Sequence, residues 1–314
     1  MAKGKQLSDE LKAARWRESF ESKIGIWTLA LEGVEVRQAM KLAKVVEELG
    51  FDSLFFGEAY GREAFVNSTL LLSATDSLVV GTGIANIYAR DAMAANAAAR
   101  TIDGAFKDRF IMGLGVSHLP LVERFRGHTY QSPIETMSAY LDALDKATFM
   151  AKGDNDRPTR VIAALGPKML ELSRDLADGA HPYLVTPAHT KMAREILGPD
   201  RLLVVEQAVA LTNDRDEFLR RAHLHLEFYS GLPNYRNSWK RLGFTDEDFV
   251  RGGSEKLKNA LVTFGDEESA GNAIQAHLDA GADQVLLQLL GEDISKPPVD
   301  DWRRMSDYLK LKST

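Results

Sequence analysis

Residues 202–211 read LLVVEQAVAL, and residues 284–290 read QVLLQLL. Each run is almost continuously apolar, whereas a strand with one face in water alternates apolar and polar residues. Continuous runs are typical of strands buried on both faces, as in a parallel sheet covered by helices. Segments of helical period precede the two runs at 188–197 and 266–280. The two runs therefore predict the centre of a parallel α/β sheet.

The same alternation of apolar runs and helical segments extends over most of the chain. Between 34 and 49, Val36, Ala39 and Ala43 recur at three- and four-residue steps, which puts them in one apolar stripe of a helix. Gly50 follows, where a helix end favours glycine. Eight strands are predicted, nearly all followed by a helix, which favours a closed (β/α)8 TIM barrel over an open sheet. The predicted strands are Ile24–Leu29, Ser53–Phe56, Leu78–Ile84, Phe110–Leu114, Arg160–Ala164, Ala180–Leu184, Leu202–Leu211 and Gln284–Leu290.

A single domain is predicted for residues 1–314, because one barrel of about 250 residues with insertions accounts for the whole length. No linker rich in proline, glycine or serine divides the chain. Residues 152–158 are predicted to form a charged loop. The segment 230–261 is too long and too irregular for an ordinary loop. We interpret it as an insertion near the mouth of the barrel, before the last helix–strand unit.

The composition restricts the classes of partner and site. A formal net charge of −6 leaves no basic stripe for nucleic acid. The absence of cysteine excludes disulfides, thiolate metal sites and cysteine nucleophiles, and it is compatible with a reducing cytosol. Residues Met1–Lys23 lack the apolar core of a signal peptide, and no stretch reaches the roughly 20 apolar residues of a membrane span. We therefore expect a soluble cytoplasmic protein with no nucleic-acid or membrane partner.

In a barrel of this kind, the residues directly after the strands line the active site. Gly166, Pro167 and Lys168 precede a predicted helix, where free backbone N–H groups and a lysine favour an anion such as a phosphate. The other candidates at strand ends are Trp27-Thr28, Glu58-Ala59-Tyr60, Gly83-Ile84-Ala85-Asn86, Gly115-Val116-Ser117-His118, Leu165, His181-Pro182-Tyr183, Glu206-Gln207 and Gln288.

The titratable residues do not define a reaction by their spacing. His118 and His181 follow strands, so either could donate a proton or contact a substrate. Glu58 also follows a strand, where a structural hydrogen bond and a catalytic role are comparable interpretations. His223 and His225 are two residues apart in a helical segment, so they point to different faces and cannot share a metal ion. They are interpreted as surface or packing residues, and no metal site is predicted.

These residues also resemble the luciferase-like monooxygenase superfamily, and within it the oxidoreductases that use the deazaflavin coenzyme F420. The likeness extends from Ile24 to Leu290. Each matching motif is unspecific by itself, but the order of the motifs along the chain is specific. The matching motifs are 48–56, Val80–Asn86, Asp103-Gly104 with Arg109–Ser117, Gly127-His128 with Pro133 and Tyr140–Leu144, Ala177–Ala180, and Thr263–Asp266 with Ala280–Asp283.

The resemblance implies how such a coenzyme would be held. Gly83-Ile84 matches the bulge where the family has a non-prolyl cis peptide behind the coenzyme ring, which would bend the ring and shape one face for hydride transfer. The segment Ala164–Lys168 matches the loop that binds the coenzyme phosphate. The full set of implied cofactor-binding positions is Glu58, Gly83, Ile84, Asn86, Gly115, Ser117, Ala164, Leu165, Gly166, Pro167, Lys168, His181 and Pro182.

The chain departs from the pattern of the family's sugar-phosphate dehydrogenases. Those enzymes have an acid–histidine pair after the second strand and a glutamate after the fourth. Here Glu58 is followed by Ala59, and the fourth strand is followed by Ser117 and His118. A sugar-phosphate dehydrogenase is therefore disfavoured. The proton donor stays open among His118, Glu58 and Tyr60, in that order.

The resemblance implies a deazaflavin-dependent oxidoreductase that transfers a hydride between coenzyme F420 and a small organic substrate. Alcohol oxidation and reduction of an activated double bond both agree with it, and the family suggests a homodimer or a larger assembly. Two alternatives stay open. One is an FMN-dependent monooxygenase of the same superfamily, and the other is a barrel that binds a flavin without catalysis.

Overall fold

The computed structural model describes residues 12–152 and 157–311. The predicted loop at 152–158 and the N-terminal segment Met1–Lys23 therefore lie partly outside the described residues, as do both ends of the predicted domain. Within the described ranges, no helix combines the length and the apolar character that crossing a membrane requires.

A closed parallel barrel forms the centre of the molecule. The strands are β1 (Ile24–Trp27), β2 (Ser53–Phe56), β3 (Val79–Thr82), β4 (Ala85–Asn86), β5 (Phe110–Gly115), β6 (Thr159–Ile162), β7 (Gly179–Ala180), β8 (Leu202–Leu211), β9 (Val262–Gly265) and β10 (Gln284–Leu289). Among the described residues, eight of them pair in the order β10-β1-β2-β3-β5-β6-β7-β8, and pairing of β8 with β10 closes the ring. The short strand β4 pairs with β5, and β9 pairs with the C-terminal half of β8. The predicted (β/α)8 barrel is therefore confirmed.

Helices cover the outside of the barrel. They are α1 (12–19), α2 (Val36–Glu48), α3 (Ala64–Ser73), α4 (Ala92–Ala105), α5 (Pro133–Lys146), α6 (Pro167–Leu176), α7 (Pro187–Leu197), α8 (Arg215–Leu226), α9 (Pro233–Arg241), α10 (Glu255–Leu261), α11 (Glu267–Asp279) and α12 (Val299–Leu309). Proline begins α5, α6, α7 and α9, where its missing N–H costs nothing. Of the predicted stripe of α2, Ala39 and Ala43 are buried, whereas Val36 at the start of the helix is exposed. Ala43 and Val46 belong to one apolar cluster with Leu54 and Phe56 of β2.

Two of the predicted strands end earlier than expected. The run at 78–84 stops at Thr82, and pairing resumes as β4 after Gly83 and Ile84. The run at 180–184 is reduced to β7, because Pro182 lacks the N–H that a ladder requires and Leu184 adopts a positive φ of 54°. The remaining predicted strands match the structure within two residues. Both early ends leave irregular chain at the mouth of the barrel.

The structure also contains elements that the sequence analysis missed. Helix α3 shows no clear apolar stripe, because apolar residues such as Val66 and Leu71 lie on both its exposed and its buried sides. The segment 230–261 is largely helical rather than irregular, since it contains α9, a 3₁₀ turn at Asp246–Phe249 and α10. Its first helix reads PNYRNSWKR, which is too polar and too short to show a helical period.

Glu47 joins α2 to the start of β3. Its Oε1 accepts the backbone N–H groups of Asp76, Ser77 and Leu78 at 2.9, 2.6 and 2.9 Å, and its Oε2 accepts from Lys44 Nζ at 2.6 Å. Burial alone would raise the pKa of this carboxyl, but these hydrogen bonds outweigh it and lower the pKa to about 2. The ionised group therefore stabilises the fold above its ordinary pKa, and this contribution is lost as the pH falls towards 2.

We expect Glu47→Gln to lower the free energy of unfolding by about 2 kcal/mol at pH 7, because three backbone N–H groups, one buried and two partly buried, lose a charged acceptor. Urea unfolding at pH 7 and pH 3 measures the difference. The deficit should fall to roughly half at pH 3, where the wild-type protein also loses part of this contribution. The exposed neighbour Glu48→Gln is the control and should change stability by less than about 0.5 kcal/mol. A deficit of equal size at both pH values would contradict this account.

Candidate active site

The carboxyl ends of the barrel strands surround a cavity of about 1030 Å³. Of the implied cofactor-binding positions and the predicted proton donors, Asn86 and Pro182 do not line it, and neither do the strand-end candidates Ala85, Glu206 and Gln207. Asn86 is buried, with its Oδ1 accepting the Tyr88 N–H at 2.9 Å, and the carbonyl of Pro182 accepts the Glu206 N–H at 3.2 Å. The implied positions and predicted donors that do line the cavity are His118, Glu58, Tyr60, Gly83, Ile84, Gly115, Ser117, Ala164, Leu165, Gly166, Pro167, Lys168 and His181.

Backbone at Gly83 and Ile84 forms one side of the cavity, and the peptide bond between them is cis, as the family resemblance implied. Both carbonyls are held: Trp27 Nε1 donates to Gly83 O at 3.1 Å, and the Glu58 N–H donates to Ile84 O at 3.1 Å. A Cβ on Gly83 would lie 2.6 Å from Trp27 Nε1 and 2.9 Å from His181 Nε2. Close packing therefore requires glycine here, and it leaves bare backbone between an indole and an imidazole.

His181 presents a hydrogen-bond acceptor to the cavity. Its Nδ1 lies 2.8 Å from the carbonyl oxygen of Val204, which can only accept, so Nδ1 carries the proton and Nε2 has a lone pair. Nε2 is buried and has no hydrogen-bond partner among the described residues. Burial lowers the pKa of this ring to about 4, so the ring is neutral at pH 7.

Glu58 lines the cavity but is fully engaged by other groups. Its Oε1 forms an ion pair with Arg90 and accepts the Ala64 N–H at 3.2 Å, while its Oε2 accepts the Asn86 N–H at 2.8 Å. Arg90 also pairs with Glu63 at 2.6 Å. The carboxylate therefore ties the loop after β2 to the chain that follows Gly83, and it is not a free base.

The start of α6 forms a cationic end of the cavity. The carbonyl of Leu165 accepts from His189 Nε2 at 2.9 Å and from Arg241 Nη2 at 3.1 Å, which fixes the loop before Gly166. Pro167 has no N–H, and the N–H of Met169 already donates to the Gly166 carbonyl at 3.0 Å. The backbone N–H groups of Gly166 and Lys168, which make no hydrogen bond among the described residues, are therefore available to an anion. Neither Lys168 nor Arg241 has a carboxylate partner within the part of the chain that is described. Arg241 comes from α9 and was missed, because its contact with Leu165 crosses 76 residues.

A second side of the cavity, which we call the aromatic wall, consists of His118, Tyr183, His225, Phe228, Tyr229 and Tyr235. The ring centroids of Tyr183 and Tyr229 lie 5.3 Å apart, and those of Tyr229 and Tyr235 lie 5.0 Å apart. His118 packs against Phe228 at 5.8 Å and Tyr235 at 5.9 Å. The sequence analysis assigned no site role to the residues from 225 to 235. Of the two interpretations of His225, packing agrees with the structure, because its ring centroid lies 6.2 Å from that of Tyr183 and 6.0 Å from that of Tyr229. Its position in the lining of the cavity was not predicted.

The three predicted proton donors have different environments. Burial lowers the pKa of His118 to about 4, so its ring is neutral at pH 7. Glu58 is paired with Arg90, as described above. Tyr60 lies at the rim, 68% exposed, with its ring 5.1 Å from that of Phe125. The structure thus brings His118 and Glu58 into the cavity and leaves Tyr60 at its edge.

A family model described as luciferase-like monooxygenase matches residues 22–284. The chain belongs to the luciferase-like monooxygenase family. The family that the motifs predicted is therefore confirmed, and the match covers every strand from β1 to the first residue of β10.

The similar proteins include both F420-dependent oxidoreductases and monooxygenases by name. A Mycobacterium tuberculosis protein, provisionally named a coenzyme F420-dependent oxidoreductase, is 27% identical over 50% of this chain and 54% of its own length. The chain thus spans about half of that relative. The solved structure of an F420-dependent secondary alcohol dehydrogenase is 13% identical, with a TM-score of 0.69 over 92% of this chain and 97% of that one. An EDTA monooxygenase from Chelativorans has the same TM-score of 0.69 at 10% identity, over 91% and 93% of the two chains. At such low identities, the solved structures support the fold alone.

We expect His181 to remain neutral, with the proton on Nδ1, between about pH 6 and 8. Imidazole ¹H–¹⁵N correlation spectra should show one protonated and one bare nitrogen, with a titration midpoint near 4. The signal is assigned by its loss in His181→Gln. A midpoint near the ordinary value of about 6.5 would contradict this prediction.

Proposed function

We propose that the chain is a coenzyme F420-dependent oxidoreductase that transfers a hydride between the deazaflavin and a small organic substrate. The observation that carries the proposal is a single cavity with bare backbone at Gly83-Ile84 and a cationic end at Lys168 and Arg241. A planar ring joined to a phosphate needs both features. The name of the Mycobacterium tuberculosis relative supports the same coenzyme.

The residues of the cavity fit such a coenzyme at both ends. Gly83 and Ile84 line the cavity beside Trp27 and His181, which close on the backbone because Gly83 has no side chain, so a ring in the cavity would lie against this surface. His181 Nε2 is a buried acceptor without a partner in the described residues, so it suits a donor on a bound ligand. The N–H groups at the start of α6, together with Lys168, would hold the phosphate. When bound, the deazaflavin would supply two-electron hydride chemistry.

The chain itself would handle the proton that accompanies the hydride. A neutral His118 can accept a proton at a ring nitrogen at pH 7, which favours it as the base in alcohol oxidation. Glu58 is less suited, because its carboxylate is engaged by Arg90 and two backbone amides. Tyr60 is less suited, because its ring is largely in solvent at the rim.

An FMN-dependent monooxygenase is the second candidate, since the EDTA monooxygenase has the same fold at the same TM-score as the alcohol dehydrogenase. The two candidates would use the same cavity, so the cofactor distinguishes them. Fluorescence titration with F420, run beside FMN, is the direct test. Binding of F420 with a dissociation constant on the order of micromolar, and much weaker FMN binding, supports the proposal. FMN binding with no response to F420, and oxygen consumption by the reduced FMN complex, would overturn it.

We expect Lys168→Ala to weaken F420 binding by about tenfold, because a charge-assisted hydrogen bond to the phosphate is lost. Gly166→Asp should weaken it further, since it adds a carboxylate beside the same anion site. Lys191→Ala, on the exposed face of α7, is the matched control and should leave the dissociation constant unchanged. F420 binding that is equally tight in all three variants would show that the phosphate does not lie at the start of α6.

A further inference from the structure

The aromatic wall differs in charge from the rest of the cavity. The aspartate, glutamate, lysine and arginine side chains that line the cavity are, among the described residues, Glu58, Lys168, Arg241 and Lys296. None of them belongs to the wall. Arg241 lies beyond Tyr235 on α9, roughly 9 Å further along the helix axis. A charged substrate at the wall would therefore find no direct counter-charge.

Burial keeps the wall itself neutral. It lowers the pKa of both His118 and His225 to about 4, and it raises the pKa of Tyr229 to about 12. Glu206 of β8 lies near the tyrosines, and burial raises the pKa of its carboxyl to about 8, so this group is mostly uncharged at pH 7. The wall thus offers a ligand aromatic surface and neutral polar atoms.

Several polar atoms of the wall have no partner among the described residues and are available to a ligand. The hydroxyl of Tyr183 is already used, since it donates to Gln288 Oε1 at 2.8 Å and is also hydrogen-bonded to Tyr229. In contrast, the hydroxyl of Tyr235 makes no hydrogen bond within the described residues. His225 Nε2 is buried and likewise has no partner there. Tyr235, which is 6% exposed, therefore presents a donor for an acceptor atom on a bound molecule.

The size of the cavity leaves room for a substrate beside a coenzyme. At about 1030 Å³ it lies at the upper end of the range of about 300–1,000 Å³ for ligand pockets. We propose that the aromatic wall binds an uncharged, planar aromatic substrate, such as an aryl-conjugated ketone or its alcohol, with the oxygen at the Tyr235 hydroxyl. This inference rests on the proposed function, which assigns the Gly83 side and the cationic end to the coenzyme.

Binding of two matched probes to the full chain, without coenzyme, tests the inference. The probes are 4-phenyl-3-buten-2-one, which is neutral, and trans-cinnamate, which has the same conjugated skeleton and a negative charge. Isothermal titration calorimetry should show that the ketone binds at least about tenfold more tightly than the carboxylate. Cinnamate binding that equals or exceeds ketone binding would overturn the inference, as would absence of ketone binding to folded protein.

Two variants locate the probe at the wall. Tyr235→Phe should weaken ketone binding about three- to tenfold through loss of one hydrogen bond, whereas Tyr308→Phe on α12 should leave it unchanged. Leu224→Lys, at a half-exposed lining position of α8, should reverse the preference in favour of cinnamate. If neither variant alters the ratio of the two affinities, the ligand does not bind at the wall and the inference fails.

The test is separable from that of the coenzyme. If F420 does not bind but the protein still prefers the ketone to cinnamate, the wall remains a substrate site in a protein that uses another cofactor. If F420 binds tightly but the ketone is not preferred to cinnamate, the substrate inference fails and the coenzyme proposal stands. Near-ultraviolet circular dichroism of each variant confirms that its aromatic side chains remain packed.

Discussion

Pairing between β8 and β10 is the interaction on which the rest of the molecule depends. Six consecutive residue pairs, from Val204–Gln284 to Val209–Leu289, close the sheet on itself. In a closed parallel barrel all the strands share one direction, so their carboxyl ends meet at one face. Loops that are far apart in sequence, such as those after β2 and β10, then surround one space. The cavity follows from this closure rather than from any single motif.

Closure also determines the chemistry at the mouth. The carbonyl of Val204, within the closing pair of strands, holds His181 Nδ1 and so fixes the tautomer of an imidazole in the cavity. Burial keeps the surrounding histidines and tyrosines neutral, whereas Lys168 and Arg241 lie at the start of α6 and the end of α9. A cavity divided in this way suits an anionic group at one end and an uncharged group at the other.

Local patterns predicted most of the barrel and suggested one half of the candidate site. Continuous apolar runs identified the strands, and the Gly166-Pro167-Lys168 sequence identified a helix start that suits an anion. The cis bond at Gly83-Ile84 was predicted by resemblance to a family and not by local physics. Each of these features depends on a short stretch of chain, so the sequence alone was enough to predict it.

The other half of the site depends on contacts that no local pattern reveals. Arg90 pairs with Glu58 across 32 residues, so the carboxylate, for which the sequence left a structural and a catalytic role open, is part of an ion pair. Tyr235 belongs to a polar segment without helical period, which Tyr229 directly precedes, and only the fold brings the two rings near Tyr183. The density of aromatic residues in that polar segment was the one available signal.

A crystal structure of the complex with coenzyme F420 tests the central claim most directly. The account predicts that the deazaflavin ring lies against the Gly83–Ile84 backbone, and that the phosphate accepts hydrogen bonds from the N–H groups at the start of α6 and from Lys168. A coenzyme bound outside the barrel mouth, or one whose phosphate lies away from Gly166, would contradict it.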